Sequence, residues 1–184
     1  MEFLDKIKQD TQIYFGSRKR VKAHQPGIVR DLTNPQSLAL FFCIGAKEEL
    51  DHIRQLLHQI KGNHRKIDVF VFSPTYEMLD VITNKSILLF NLNDFNLLGS
   101  MKDPLQEKFD RERYELLISF AFDADLFTEK LISDINADFK IGPDQTNAKT
   151  LYDMTLKHFK NKAGFIDFYD QVSHYLSVLN IRSS

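Results

Sequence analysis

The chain has 184 residues, 43% of them hydrophobic and 27% charged, with a formal net charge of −1. This is the composition of one ordinary folded domain, large enough to hold together without a disulfide or metal staple. The near-zero charge announces no partner, and the single cysteine, Cys43, excludes an intrachain disulfide and every zinc site built on two thiolates.

Residues 1–30 stand apart in charge. They carry seven Lys or Arg against Glu2, Asp5 and Asp10, a net of +4, which leaves −5 for the remainder. The segment reads as a short helix to about Phe15, followed by a basic, irregular arm through Pro26-Gly27. We treat residues 1–30 as this helix and arm, and 31–184 as a single α/β domain.

Ser37 to Gly45 is a continuous apolar run, too short for a typical helix, and predicts a strand covered on both faces. Lys47 to Lys61 repeats Leu50, Ile53, Leu56, Leu57 and Ile60 at helical spacing, with Gly62-Asn63 as its stop. Ile67–Phe72 predicts a second strand, Thr75–Thr83 a short helix and Ser86–Phe90 a third strand. Asn91 to Gly99 reads as a polar loop, and Pro104 opens a charged helix running into Arg113. Glu115–Phe122 predicts a fourth strand, Asp125–Asn136 a helix, and Phe139–Gly142 a short fifth strand. Leu151–Leu156 offers an edge strand. Gly164–Ile181 carries a clear helical stripe of Phe165, Phe168, Tyr169, Val172, Leu176 and Leu179.

Strands alternating with helices imply βαβ units with right-handed crossovers. The expected fold is a three-layer Rossmann-like α/β sandwich with a mostly parallel sheet of about five strands. The terminal helices are expected to pack together or against one face.

Several chemistries are excluded by counting. The seven glycines never fall closer than Gly16 and Gly27, so neither a dinucleotide fingerprint nor a P-loop can be written. There is no H-E-x-x-H, G-x-S-x-G or S-x-x-K. His52 and His58 lie on different sides of their helix, and no metal site or cofactor is expected. The longest apolar run, Leu38–Ala46, is too short to span a bilayer, and Met1–Lys6 has acids where a signal peptide needs an apolar core. The expectation is a soluble cytoplasmic protein.

Ligands of open parallel sheets bind beyond the carboxyl ends of the strands. Two stretches fall there. Gly45-Ala46-Lys47-Glu48-Glu49 is a strand-to-helix turn whose acids complement a helix dipole, and the same turn could hold an anion. Asp123-Ala124-Asp125 is a D-x-D after a strand. Such a pair can hold a divalent cation against a diphosphate or work on a phosphoryl group. The plainer reading is that Asp125 caps the next helix. Leu126 and Phe127 stand where a phosphatase of this type carries Thr or Gly. Gly45, Asp123 and Asp125 are therefore the candidate ligand-binding residues. Arg18, Lys19, Arg20 and Lys22 are the candidate partner-binding residues, for an acidic protein or, with weaker support, a nucleic acid. Cys43 is expected to be an inert core thiol.

Tyr114-Glu115-Leu116-Leu117-Ile118-Ser119, followed by the run from Ile132 to Gly142, resembles a family of small bacterial proteins built on a domain of unknown function. That resemblance implies no established activity. The same stretch is more distantly similar to the acceptor-side half of heptosyltransferase-type GT-B glycosyltransferases. Ser119 stands where that pattern has an acid, and the first turn lacks its Gly-Asp pair. Two functions remain open. One is a non-catalytic domain binding a protein partner or itself. The other is a nucleotide or sugar-phosphate binding domain with Gly45, Asp123 and Asp125 in its site.

Overall fold

A parallel strand pair cannot close through a hairpin, so each strand must be followed by a crossover that returns the chain to the same end of the sheet. A computed structural model describes residues 32–60, 66–74, 87–145, 151–157 and 164–181. Its strands are β1 (Ser37–Cys43), β2 (Lys66–Ser73), β3 (Ile87–Asn91), β4 (Tyr114–Phe120), β5 (Ala137–Pro143) and β6 (Met154–Leu156). The helices are α1 (Glu49–Gln59), α2 (Asp103–Arg111), α3 (Leu126–Asp134) and α4 (Phe165–Ile181). The sheet order is β3-β2-β1-β4-β5-β6, and every pairing is parallel. This is the doubly wound order expected of a Rossmann-like sandwich.

Two apolar cores result. Leu38, Leu40 and Phe42 of β1 face α1 and α4, while Ala39 and Phe41 face α2 and α3. All five are at most 1% exposed, which explains why β1 reads as an unbroken apolar run. Rings fill both layers. Phe42 stacks on Phe120 at 4.5 Å, with Phe165 edge-on at 5.0 Å. On the opposite face Phe72 meets Phe90, Phe95 and Phe127 within 6.3 Å.

The sheet has six strands, where the sequence suggests about five. The addition is β6, three residues inside the stretch read as an edge strand, and too short to show an alternating pattern. It is tied to β5 by the edges of its loop. Asp153 N–H donates to Lys140 O at 2.9 Å, and Lys140 N–H donates to Asp153 Oδ2 at 2.7 Å. Helices α1 and α3 start and stop inside their predicted limits, whereas α2 starts one residue early, at Asp103 ahead of Pro104. Strand β5 begins earlier than predicted, at Ala137, where it pairs with Tyr114. The predicted N-terminal helix and arm, the stop at Gly62-Asn63 and the predicted helix Thr75–Thr83 lie outside the described residues.

Lys140 is 2% exposed although it is a lysine on a strand. Its ammonium donates to the Ile132 and Ser133 carbonyls at 2.9 and 3.3 Å, in the last turn of α3. It thereby supplies the donors that a helix end lacks and places a cation against the negative end of the dipole. Tyr152 uses the next residues of β5 differently. A Cβ on Gly142 would lie 2.2 Å from the Tyr152 ring, so the aromatic face rests directly on the glycine backbone. The Tyr152 hydroxyl then donates to Ser119 Oγ on β4 at 3.0 Å.

Gly142→Ala should destabilise the domain by about 1–3 kcal/mol, the usual cost of overpacking a filled site. Urea unfolding checks this. A midpoint unchanged from wild type would mean that the ring has room to move.

Candidate functional site

The sheet reverses its order between β1 and β4. Their register, Leu38 with Leu116 through Phe42 with Phe120, brings their carboxyl ends level. Helices α1 and α3 leave those ends toward opposite faces, as their memberships of the two cores show. The turn at Gly45 and the Asp123-Ala124-Asp125 stretch therefore follow neighbouring strand ends, on the side of the sheet where a crevice holds the ligands of such folds. All three sequence-predicted residues, Gly45, Asp123 and Asp125, are exposed there.

Their bonding gives each a local role. Gly45 and Ala46 lie in the loop between β1 and α1, and the backbone N–H of each donates to Glu49 Oε2, at 2.8 and 2.9 Å. A carboxylate of the chain thus sits where an anion would sit. Nothing lies within 4 Å of a Cβ placed on Gly45, so no close approach demands glycine at this position. Asp125 is the N-cap of α3, its Oδ1 accepting from Thr128 N–H at 2.7 Å.

The thiol of Cys43 ends β1 at the same edge of the sheet. It is half-buried rather than fully enclosed, and Sγ lies 3.9 Å from Thr128 Oγ1. Burial pushes its pKa up to about 11, with the nearby Asp125 and Glu49 carboxylates adding to the rise against the Thr128 contact. A thiol held this far up is a poor nucleophile at neutral pH.

Farther along this edge, Gln145 Nε2 donates to Ala121 O at 2.5 Å, fastening the end of β5 to the end of β4. Ser119, fully buried, accepts from Tyr152 O–H at 3.0 Å and from Ala121 N–H at 3.4 Å. Burial holds the Tyr152 phenol well above the ordinary tyrosine range, only partly offset by its bond to Ser119. Ser119 is thus a tie within the fold. Among the described residues, no three His, Cys, Asp or Glu side chains come together as metal ligands. No described helix is long and apolar enough to cross a membrane. The basic cluster Arg18, Lys19, Arg20 and Lys22 lies outside the described residues.

Sequence reasoning placed Glu49 only as a dipole complement and missed that it caps the turn. The signal was the spacing of Gly45 and Glu49, four residues apart across a strand end. Tyr152 and Gln145 carried no such local signal, because their partners lie on other strands.

The model of a family of unknown function, DUF6913, matches residues 14–179. The chain belongs to this family. The match takes in the basic stretch Arg18–Lys22, the whole sheet and nearly all of α4. Comparison with curated proteins and with solved structures gave no match.

Asp125→Ala should cost about 1 kcal/mol of unfolding free energy, the usual value of an N-cap, while Asp125→Asn should cost little because Asn caps as well. Chemical denaturation of both variants checks this. Cys43 should label slowly. With its pKa at about 11, roughly one thiol in a thousand is ionised at pH 8, against about one in ten at the ordinary value of 9.0. Because the folded state holds the proton more tightly, its contribution is complete below pH 9 and is lost as pH rises toward 11. A Cys43 alkylation rate matching free thiol at pH 8 would contradict this placement.

Proposed function

We propose that the chain is a non-catalytic α/β domain that binds a protein partner at the carboxyl edge of its sheet. The observation that carries this reading is the Glu49 carboxylate, which already takes the two turn amides that a phosphate would need. An incoming anion must displace a tethered acceptor of the same charge, at an edge that also holds Asp123 and Asp125.

The same end of the sheet offers apolar side chains instead. Leu97 and Leu98 are 58% and 59% exposed, and Leu126 at the start of α3 is 51% exposed. Phe95 packs on Phe127 at 5.1 Å, which puts the Leu97-Leu98 tip and Leu126 at one end of the molecule. The tip is held in shape. Asn96 Oδ1 accepts from Leu98 N–H at 2.9 Å and Ser100 N–H at 3.0 Å, and Phe95 and Met101 bridge its base. Gly99, at φ 67°, occupies the left-handed turn position that side chains avoid. An apolar tip ordered in advance loses little entropy on binding. In this reading Arg18, Lys19, Arg20 and Lys22 form a second contact, to acidic groups on the same partner.

A second reading has its own support. The strand order and the placement of Gly45, Asp123 and Asp125 beside the reversal point are those of nucleotide-binding sheets. There a nucleotide or sugar phosphate would replace Glu49, with the aspartates holding Mg²⁺.

A thermal-shift scan of the full chain with nucleotides, nucleotide-sugars and sugar phosphates, with and without Mg²⁺, separates the two. A ligand at ~100 times its dissociation constant adds about 2.7 kcal/mol, or roughly 5–10 °C for a domain of this size. The expected result is a flat scan, with partner capture lost in Leu97→Ser/Leu98→Ser at unchanged melting temperature. A shift of that size that disappears in Asp125→Asn would overturn the protein-binding reading in favour of the second.

A further inference from the structure

The negative charge of the domain gathers at the carboxyl edge of the sheet. Residues 44–49, 74, 92–103, 121–126 and 144–145 follow the ends of β1 to β5. They carry seven Asp or Glu against Lys47 and Lys102, a net of −5. Residues 31–184 sum to the same −5, so the rest of that stretch is neutral in total. The amino edge shows how balance is kept elsewhere. There Lys66 reaches Asp68 at 3.4 Å and Glu112 at 2.5 Å, and Arg113 meets Asp138.

Three of the carboxyl-edge acids are fixed in place by backbone amides. Glu49 Oε2 accepts from Gly45 and Ala46 N–H, Asp94 Oδ2 from Asn91 N–H at 2.9 Å, and Asp125 Oδ1 from Thr128 N–H. An ionised carboxylate has about four lone-pair sites, so each retains acceptors for a further donor. An arriving anion has to displace Glu49. An arriving ammonium or guanidinium adds a bond and displaces nothing. The exposed leucines are set among these acids. Leu126 follows Asp125 directly, and Leu97 and Leu98 come within four residues of Asp94, all of them 51–59% exposed.

We infer that the segment of the partner docking here is basic and amphipathic, with apolar side chains that cover Leu97, Leu98 and Leu126 and Lys or Arg that bond the carboxylates around them. The inference rests on the protein-binding reading and adds the chemistry of the partner to it. Sign decides the class. Nucleic acids and anionic lipid surfaces carry phosphate, which this edge repels, whereas a basic segment is steered onto it. Charge alone does not hold the segment, because exposed ion pairs contribute little. Burial of the leucines supplies the affinity, and the fixed carboxylates supply orientation and register.

Fluorescence anisotropy of the full chain with labelled peptides of about 15 residues tests this. One peptide repeats Leu and Lys at helical spacing, a second has Glu for every Lys, and a third has Ser for every Leu. The expected result is that the Leu/Lys peptide binds at least about tenfold tighter than the other two, and weakens about tenfold or more between roughly 0.05 and 0.5 M salt. Leu97→Ser/Leu98→Ser and Asp123→Asn/Asp125→Asn each weaken it severalfold, the latter without loss of the α3 cap because Asn caps as well. If the Leu/Glu peptide binds as tightly as the Leu/Lys peptide, and both are lost in Leu97→Ser/Leu98→Ser, the basic partner is overturned while the edge stands as a protein-binding surface. Leu/Lys binding that Leu97→Ser/Leu98→Ser leaves unchanged overturns both the inference and the reading beneath it. No binding of the Leu/Lys peptide also overturns the inference. So does a dimer by light scattering that Leu97→Ser/Leu98→Ser converts to monomer, which makes a second copy the occupant.

Discussion

Strand β1 has to be hidden from water on both faces and bonded along both edges, and the remaining architecture follows from satisfying that demand. Its backbone groups pair with β2 on one side and β4 on the other. Its side chains supply two cores rather than one. A strand of this kind cannot sit at an edge, and it cannot belong to a two-layer fold. The phenylalanines meet the need for volume. Rings at 4.5–6.3 Å fill the space between sheet and helices on each face, and favourable pairs add about 0.5–1.5 kcal/mol beyond their burial. Leucine alone would leave gaps or force the helices closer.

The polar groups at the carboxyl edge show a second regularity. Each one that approaches the interior is met by a group of the same chain. Glu49 takes the Gly45 and Ala46 amides, Asp125 takes Thr128 N–H, Gln145 takes Ala121 O, and Tyr152 takes Ser119. Unmet buried donors and acceptors cost about 1–3 kcal/mol each, so such closure is expected of a stable domain. It also separates fold from function. The sheet order is that of many ligand-binding proteins, but an order of strands carries no chemistry of its own.

Much of this was legible in the sequence. The run from Ser37 to Gly45 announced a doubly covered strand, and the stripe from Phe165 to Leu179 announced a helix, although Leu179 at its end is 43% exposed. Both signals are local, because burial imposes a period on neighbouring residues. Asp125 as a cap was legible for the same reason, since the group it bonds lies three residues on. Gly45 and the D-x-D pair follow the ends of β1 and β4, two neighbouring strands, because the apolar runs that precede them set where those strands stop. Lys140, Gln145 and Tyr152 were not legible. Lysine and glutamine normally mark surface, and what buries or fastens them here are carbonyls on other elements. The exposed leucines at positions 97 and 98 fell inside a stretch read only as a polar loop. Their role as a shaped tip depends on the Asn96 hydrogen bonds and on the Phe95–Met101 bridge, which pattern alone does not reveal.

The pairing of Leu38 with Leu116 has a consequence for synthesis. The ribosome delivers β1 and β2 long before β4, and the chain in between must emerge first. Throughout that interval the strand destined for the middle of the sheet is its border, with a row of open backbone groups beneath five of the most apolar side chains in the chain. Such an edge is a template for any extended segment nearby. The most hazardous moment for this protein is therefore not thermal unfolding at the end of its life. It is the time between the emergence of Phe42 and the arrival of Phe120, when a chaperone or the nascent chain itself has to keep that border occupied.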